Sequence, residues 1–159
     1  MSRHGYSDEL DQWDLIKWRG QVASAMRGKR GQKLLVDLVK ALDAMPEKAL
    51  IAGKLVTVDG DVCALGAVGQ LRGTEMPMLD SNGDEYEGDD FDSYEMADLF
   101  DVAHQLAAEV MWQNDEGGSG HKVDGRWQYC PETPQERWRR VRAWAMRHIL
   151  PVPVEDQPQ

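Results

Sequence analysis

"QKLLVDLVKALDAM", Gln32 to Met45, decides the fold. Leu34, Leu35, Leu38, Val39, Leu42 and Met45 recur at the steps that line one side of an α-helix, and Pro46, which cannot continue the backbone ladder, closes it. A stripe that wide stabilises only when buried, so the flanking segments must supply its partners. Upstream, "DELDQWDLIKWRGQVASAM" sets Leu10, Trp13, Ile16 or Lys17, Gly20, Ala23 and Met26 near one stripe, with Ser7 as N-cap and Asp8 and Glu9 in the first turn. This predicts a helix from Asp8 to about Met26. Between the two, "RGKRG" reads as a hydrated loop broken by its glycines.

Downstream the period changes. In "KLVTVDGDVCAL", β-branched Val56, Thr57 and Val58 lead into Asp59-Gly60, a dipeptide favoured in tight turns, and apolar character resumes at Val62. A short hairpin at 54–64 follows, lying as a flap on helices because an isolated hairpin is marginal in water. "CALGAVGQLRG" turns helical again and ends at Gly73; its small residues Ala64, Gly66, Ala67 and Gly69 admit a close backbone, and Gly66 and Gly69 suit a homodimer contact. "YEMADLFDVAHQLAAEVMWQ" carries Met96, Leu99, Phe100, Ala103, Leu106, Ala107 and Val110 as one helical band, with Asn114 as its C-terminal cap. "NDEGGSGHKVDG" is a glycine-rich loop by composition. Thr133, Pro134 and Glu136 then form a capping-box signature for a last helix that runs to about Ile149 and stops before Pro151 and Pro153. The predicted class is mainly α (α+β): a compact bundle of about four to five helices with one hairpin near residues 54–64. It occupies a single domain over residues 1–150, with an acidic insert at about 75–93 and a flexible tail at 151–159.

Charge is spread unevenly. Residues 1–54 hold ten Lys+Arg against seven Asp+Glu, residues 55–121 hold one against sixteen, and residues 122–159 hold seven against five. The chain's net −10 therefore comes from its centre, a distribution that attracts cationic surfaces and disfavours direct nucleic-acid binding there. No apolar run approaches the roughly 18 residues of a membrane span, and "MSRHGYSDEL" lacks the apolar core of a signal peptide, so the expected compartment is the cytoplasm, with no membrane partner. Cys63 and Cys130 share no C-x-x-C spacing, which predicts reduced, partly buried thiols and no structural zinc.

"DSNGDEYEGDDFDSYE", Asp80 to Glu95, packs eight carboxylates into sixteen residues without a Lys or Arg. Tested as a calcium loop counted from Asp80, Asn82 and Asp84 fit, but Glu85 replaces the turn glycine and Phe91 the bidentate Glu. Half a motif does not make a metal site. The stretch reads instead as a solvated insert or an acidic recognition surface formed by Asp84, Glu85, Glu87, Asp89, Asp90 and Asp92 and continued on the next helix by Asp98 and Asp101, opposite Leu99 and Ala103. A groove built to neutralise phosphates also accepts carboxylates, at a salt-dependent affinity.

Other candidates weigh less. On "QERWRRVRAWAMRHI", Trp138, Val141, Ala145 and Ile149 line one face and Arg137, Arg140, Trp144 and Arg147 another. This second, basic surface can stack on bases and grip phosphates, or cover a core edge and pair with the acidic centre of the same molecule. The acidic whole favours the latter. "RGKRGQK", with Arg27, Lys29, Arg30 and Lys33, lacks the frame and the Ser or Thr of a phosphate loop. For catalysis, His4, His104, His121 and His148 are scattered, with His104 reading as a satisfied core residue. Asn114, Asp115 and Glu116 precede a loop and could join His121 and Cys130 in a hydrolytic or metal-dependent site, though helix capping explains the first three; Ser119 lacks a nucleophile-elbow context. No cofactor and no catalytic residue is assigned.

The segments "WRGQVASAMRGKRGQKLLVDLVKALDAMPEKALI", "CALGAVG", "NDEGG" and "TPQERWRRVRAW" resemble a family of small proteins encoded in bacteriophages and prophages. The likeness spans most of the chain outside Glu75 to Asp92 and carries over no activity or catalytic residues. It implies a phage origin and an intracellular life in a bacterial host. Small acidic phage proteins without an evident active site are similar in these respects to inhibitors of bacterial defence, including anti-CRISPR proteins. The expected function is therefore non-enzymatic: an acidic surface docks on a basic, nucleic-acid-handling surface of a host protein. The alternatives are the enzyme site near Asp115, Glu116 and His121, and a nucleic-acid binder using the Arg/Trp helix.

Overall fold

The computed structural model describes residues 11–76, 92–118, 121–128 and 131–152; the side chain of His121 falls outside that description. Six helices and one two-stranded antiparallel hairpin occupy the described residues, in the order α1 (Gln12–Arg27), α2 (Lys29–Ala44), α3 (Ala64–Arg72), α4 (Ser93–Phe100), α5 (His104–Asp115), β1 (His121–Val123), β2 (Arg126–Gln128) and α6 (Pro134–His148). The mainly helical class read from the sequence holds.

The stripe on α2 is the centre of the molecule. Leu34, Leu35, Leu38 and Leu42 are fully buried, and α2 packs against α3, α6 and α1. Leu65 and Val68 of α3, Met96 and Phe100 of α4, Leu106, Val110 and Met111 of α5, and Val141, Trp144 and Ala145 of α6 close one continuous core around it. Each fully buried aliphatic side chain contributes about 1.5–3 kcal/mol, so α2 alone anchors much of the fold. Its open C-terminal carbonyls are met by side chains: the Trp138 indole N–H donates to Leu42 O at 3.1 Å, and the Lys48 ammonium donates to Leu42 O, Asp43 O and Met45 O at 2.5–3.3 Å.

The first boundary differs from the sequence reading. Helix α1 starts at Gln12, capped by the Asp11 side chain accepting from Asp14 N–H at 2.8 Å, while Ser7, Asp8, Glu9 and Leu10 lie outside the described residues. "RGKRG" is no loop: Gly28 alone separates α1 from α2, and Gly31 sits buried inside α2. A Cβ on Gly31 would come within 2.0 Å of Ala25 O, so glycine here supplies the space for α1 to end against α2. Gln32 seals that corner, its amide donating to Met26 O and His148 O at 2.7 and 2.9 Å and accepting from Leu150 N–H at 2.8 Å.

Two more differences follow from packing. The band from Tyr94 to Gln113 is two helices, because Asp101 takes a left-handed conformation (φ 53°) and folds α5 back onto α4. One straight helix would have carried Phe100 and Met111 away from each other; the break puts both in one core. At 54–64 the predicted hairpin reduces to a single bridge, Val56 to Val62, around Asp59-Gly60, and the regular ladder lies in the segment read as a loop, pairing His121 with Gln128, Lys122 with Trp127 and Val123 with Arg126. Helix α6 agrees with its capping signature: Thr133 Oγ1 accepts from Glu136 N–H and the Glu136 carboxylate from Thr133 N–H. Cys63 is buried as a thiol at the N-cap of α3, and Cys130 lies outside the described residues. No helix among the described residues is long and apolar enough to cross a membrane.

Candidate functional site

Of the acidic residues singled out in the sequence, Asp84, Glu85, Glu87, Asp89 and Asp90 lie outside the described residues; Asp92, Asp98 and Asp101 are described, and all three are exposed on or beside α4. Their spacing has a local cause. Asp92 caps α4, its carboxylate accepting from Tyr94 N–H and Glu95 N–H at 2.9 and 3.0 Å, while Glu95 returns the favour by accepting from Asp92 N–H at 3.0 Å. This capping box fixes where the charged run becomes a helix and favours negative charge at its N-terminus. Ser93, Met96, Ala97 and Phe100 turn inward, which leaves Tyr94, Glu95 and Asp98 on the outer face. Tyr94 is 62% exposed and stacks on His104, ring centroids 4.2 Å apart, with Trp18 of α1 meeting the same imidazole edge-on at 5.5 Å. His104, half-buried at the start of α5, is thus the aromatic footing of the acidic face.

Asp101 does not continue that face in the manner read from the sequence. It is the C-cap of α4, and its carboxylate meets the Arg30 guanidinium at 3.1 Å, with both side chains largely in water. Such a pair stabilises by about 1 kcal/mol or less, so a cationic partner can exchange with Arg30 at little cost.

Several of the molecule's other cations are engaged elsewhere. Arg72, the sole Lys or Arg of residues 55–121, turns inward: its Nε donates to Asp37 Oδ2 at 2.9 Å and its Nη1 to Phe100 O at 2.8 Å, and Lys33 reaches the same carboxylate at 2.7 Å. Burial pushes the Asp37 carboxyl up, but the hydrogen bonds and charges of Lys33 and Arg72 outweigh it and hold the group below the usual carboxylate range. Glu132 receives Arg140 in a bidentate pair at 2.6 and 2.9 Å, with Arg137 Nε at 3.5 Å, and Arg142 grips Asp43 at 2.6 and 3.0 Å, lowering that carboxyl through the hydrogen bond.

On α6 the side chains take the intramolecular roles that the chain's acidity favours over an open basic surface. Arg137 donates to Leu50 O at 2.8 Å, Arg140 to Gln113 O at 2.5 Å, and Trp144 is buried; Arg147 alone of the four named residues faces water. These side chains stitch α6 to the connector before the 56–62 turn and to the end of α5. The homodimer face at Gly66 and Gly69 is corrected, because both glycines are buried by their own chain: a Cβ would lie 2.1 Å from Leu55 O at Gly66 and 2.3 Å from Met76 Sδ at Gly69.

The residues named for a catalytic alternative are partly structural. Asn114 is not the C-cap of α5 but a buried side chain within it: its Oδ1 accepts from Ala64 N–H at 2.9 Å and its Nδ2 donates to Ile51 O at 2.8 Å and to Asp115 Oδ1 at 2.8 Å. Asp115 Oδ1 also accepts from Gly53 N–H at 3.0 Å. Together they clamp the segment 51–64 onto α5. Glu116 caps the helix, and neither Cys130 nor the side chain of His121 is among what the structure describes. Among the described residues no group of three or more His, Cys, Asp or Glu side chains could hold a metal ion.

Sequence reasoning missed the exposed hairpin. Lys122 and Trp127 share one face of it, and Trp127 is 72% exposed. The signal was Asp124-Gly125 between Val123 and Arg126, hidden by the glycines before it. No known protein family, curated protein or solved structure matches the chain.

Proposed function

We propose that the chain is a non-enzymatic binding protein that sets an acidic surface against a cationic, nucleic-acid-handling face of a host protein, in the manner of a phage-encoded inhibitor of a bacterial defence complex such as an anti-CRISPR protein. The observation that carries this reading is the disposition of Arg72: the only cation within residues 55–121 is locked to Asp37 and the Phe100 carbonyl, while Glu95 and Asp98 stay on the solvent side of α4. A negative potential left uncompensated by its own segment attracts Lys- and Arg-lined grooves and competes with the phosphates they were built for. The sequence extends that potential through Asp84, Glu85, Glu87, Asp89 and Asp90.

The test is capture from a bacterial lysate at low and at high salt, followed by assay of the captured protein on DNA or RNA. The protein should retain its partner at low salt, release it at high salt, and block its nucleic-acid binding. Reversing Asp89, Asp90 and Asp92 to Lys should abolish both effects. Capture that survives this triple reversal, or a captured partner that still binds nucleic acid normally, refutes the reading.

A further inference from the structure

A second surface is built quite differently. The C-terminal end of α2, the connector after it, the Asp59-Gly60 turn, α3 and the first residues of α6 enclose an open cleft of about 610 Å³. Ala41, Leu50, Val62 and Ala67, all buried, make its floor, and Met45, Ile51 and Leu71 rise toward the mouth, where Leu71 is 45% exposed. Every charged side chain in the lining is a carboxylate: Glu47 on one side, Asp59 and Asp61 on the turn. Gln70 and Gln135 add exposed amides.

The walls are braced before anything binds. Thr57 N–H donates to Asp61 O at 2.8 Å and Asp61 N–H to Thr57 Oγ1 at 3.1 Å, which fixes the turn that carries both aspartates. Ile51 N–H donates to Val62 O and Leu50 N–H to Pro134 O, both at 3.0 Å, tying the connector to the turn on one side and to α6 on the other. Lys48, the cation nearest in sequence to Glu47, is spent on the α2 carbonyls. A preformed apolar cleft with an acidic rim loses little conformational freedom on binding and discriminates by charge.

We propose that this cleft binds a polypeptide segment that presents an apolar side chain flanked by Lys or Arg, the apolar group covering Val62, Ala67 and Leu71 and the cations meeting Glu47, Asp59 and Asp61. Charge complementarity selects the occupant: an anionic or neutral apolar ligand would bury the floor but leave three carboxylates facing it unanswered. The amides of Gln70 and Gln135 suit an extended backbone. The inference rests on the proposed function only in expecting a basic protein partner, since Asp92, Asp98 and Asp101 do not line the cleft.

The test uses short fluorescent peptides at physiological salt: one alternating leucine with lysine, one with glutamate in place of lysine, one with serine in place of leucine. The leucine–lysine peptide should bind saturably and the other two should not. Leu71→Lys should abolish that binding, and the double variant Asp59→Asn, Asp61→Asn should weaken it about fivefold, the worth of two exposed ion pairs. Asp98→Lys should leave it within about twofold, because Asp98 does not line the cleft and exposed charges are screened by salt. Circular dichroism matching the parent confirms that each variant is folded. Equal binding of the serine–lysine peptide, or unchanged binding in the Leu71 and Asp59/Asp61 variants, overturns the proposal. So does a concentration-dependent dimer that Trp127→Ala dissolves, since a second copy's Lys122–Trp127 hairpin would then be the occupant. Failure of the lysate capture with these peptide results intact would sink the acidic α4 surface and leave the cleft standing.

Discussion

Two Asp-Gly turns in this chain, at Asp59-Gly60 and Asp124-Gly125, resolve into opposite structures. The second is a regular hairpin: Asp124 (φ 49°) and Gly125 (φ 79°) both take positive φ, the primed-turn geometry whose twist matches paired strands, and three residue pairs follow. Both strands lie mostly in water. The first keeps only Gly60 positive (φ 89°) and pairs Val56 with Val62 before the ladder ends. There the tertiary environment takes over the backbone: Ile51 N–H claims Val62 O, the Asn114 side chain claims Ala64 N–H, and α3 begins. A dipeptide sets a turn; what the flanking residues are buried against sets whether strands continue beyond it.

If that contrast is right, damage to the anchors of the first turn must cost the whole fold, whereas damage to the second must stay local. The largest loss belongs to Asn114→Ala, which strips partners from Ala64 N–H and Ile51 O in a buried setting; it should cost about 3 kcal/mol and lower the melting temperature by roughly 6–12 °C in a calorimetric scan. Gly66→Ala comes next. Its methyl group would sit 2.1 Å from Leu55 O and 3.0 Å from Val62 Cβ, so chemical denaturation should register about 2 kcal/mol of overpacking, and a neutral result would mean the flank of the first turn yields freely.

Arg72→Met probes the far end of α3 and adds a pH signature. It should cost about 1.5–2 kcal/mol at pH 7 by removing hydrogen bonds to the Asp37 carboxylate. Because the folded state holds the Asp37 pKa below its unfolded value, that stabilisation is complete above about pH 4 and fades as the pH falls through the lower folded value. Urea midpoints of parent and variant should therefore draw closer in acid, leaving the pH-independent loss at Phe100 O; a gap that is constant down to pH 2 would contradict the pairing with Asp37. The smallest effect belongs to Gly125→Ala in the second turn. It strains a positive φ by about 1 kcal/mol locally, opening the hairpin in amide exchange and altering Trp127 emission while the global melting temperature moves by less than about 2 °C.

Much of the scaffold was legible because its signals are local. The leucines of α2, the Gly73 stop of α3 and the Thr133–Glu136 box of α6 act through neighbours within a turn or two of chain, so the residues announce the element directly. The misses lie where a distant segment decides. Gly31 reads as a helix breaker until α1 is packed against it, and Asp101 reads as one more helical residue until Phe100 and Met111 must share a core. For Arg137 and Arg140 the chain's acidity favoured an intramolecular role without naming its partners, and Asn114 read as a C-terminal cap, because nothing in their own helices reveals Leu50 O, Glu132, Gln113 O or Ala64 N–H.

The sequence by itself determined the class of fold, the position of most helices and the concentration of negative charge in the middle third, since periodicity, capping and composition are properties of the chain whatever it touches. Only the tertiary structure decided which charges are free. Arg72, Arg137, Arg140 and Arg142 are spent on Asp37, Glu132 and Asp43, residues up to 99 positions away, and that pairing follows from which helices the apolar core brings into contact. Exposure of α4's carboxylates and the acidic rim of the α2–α3–α6 cleft are what remains after those pairings are made.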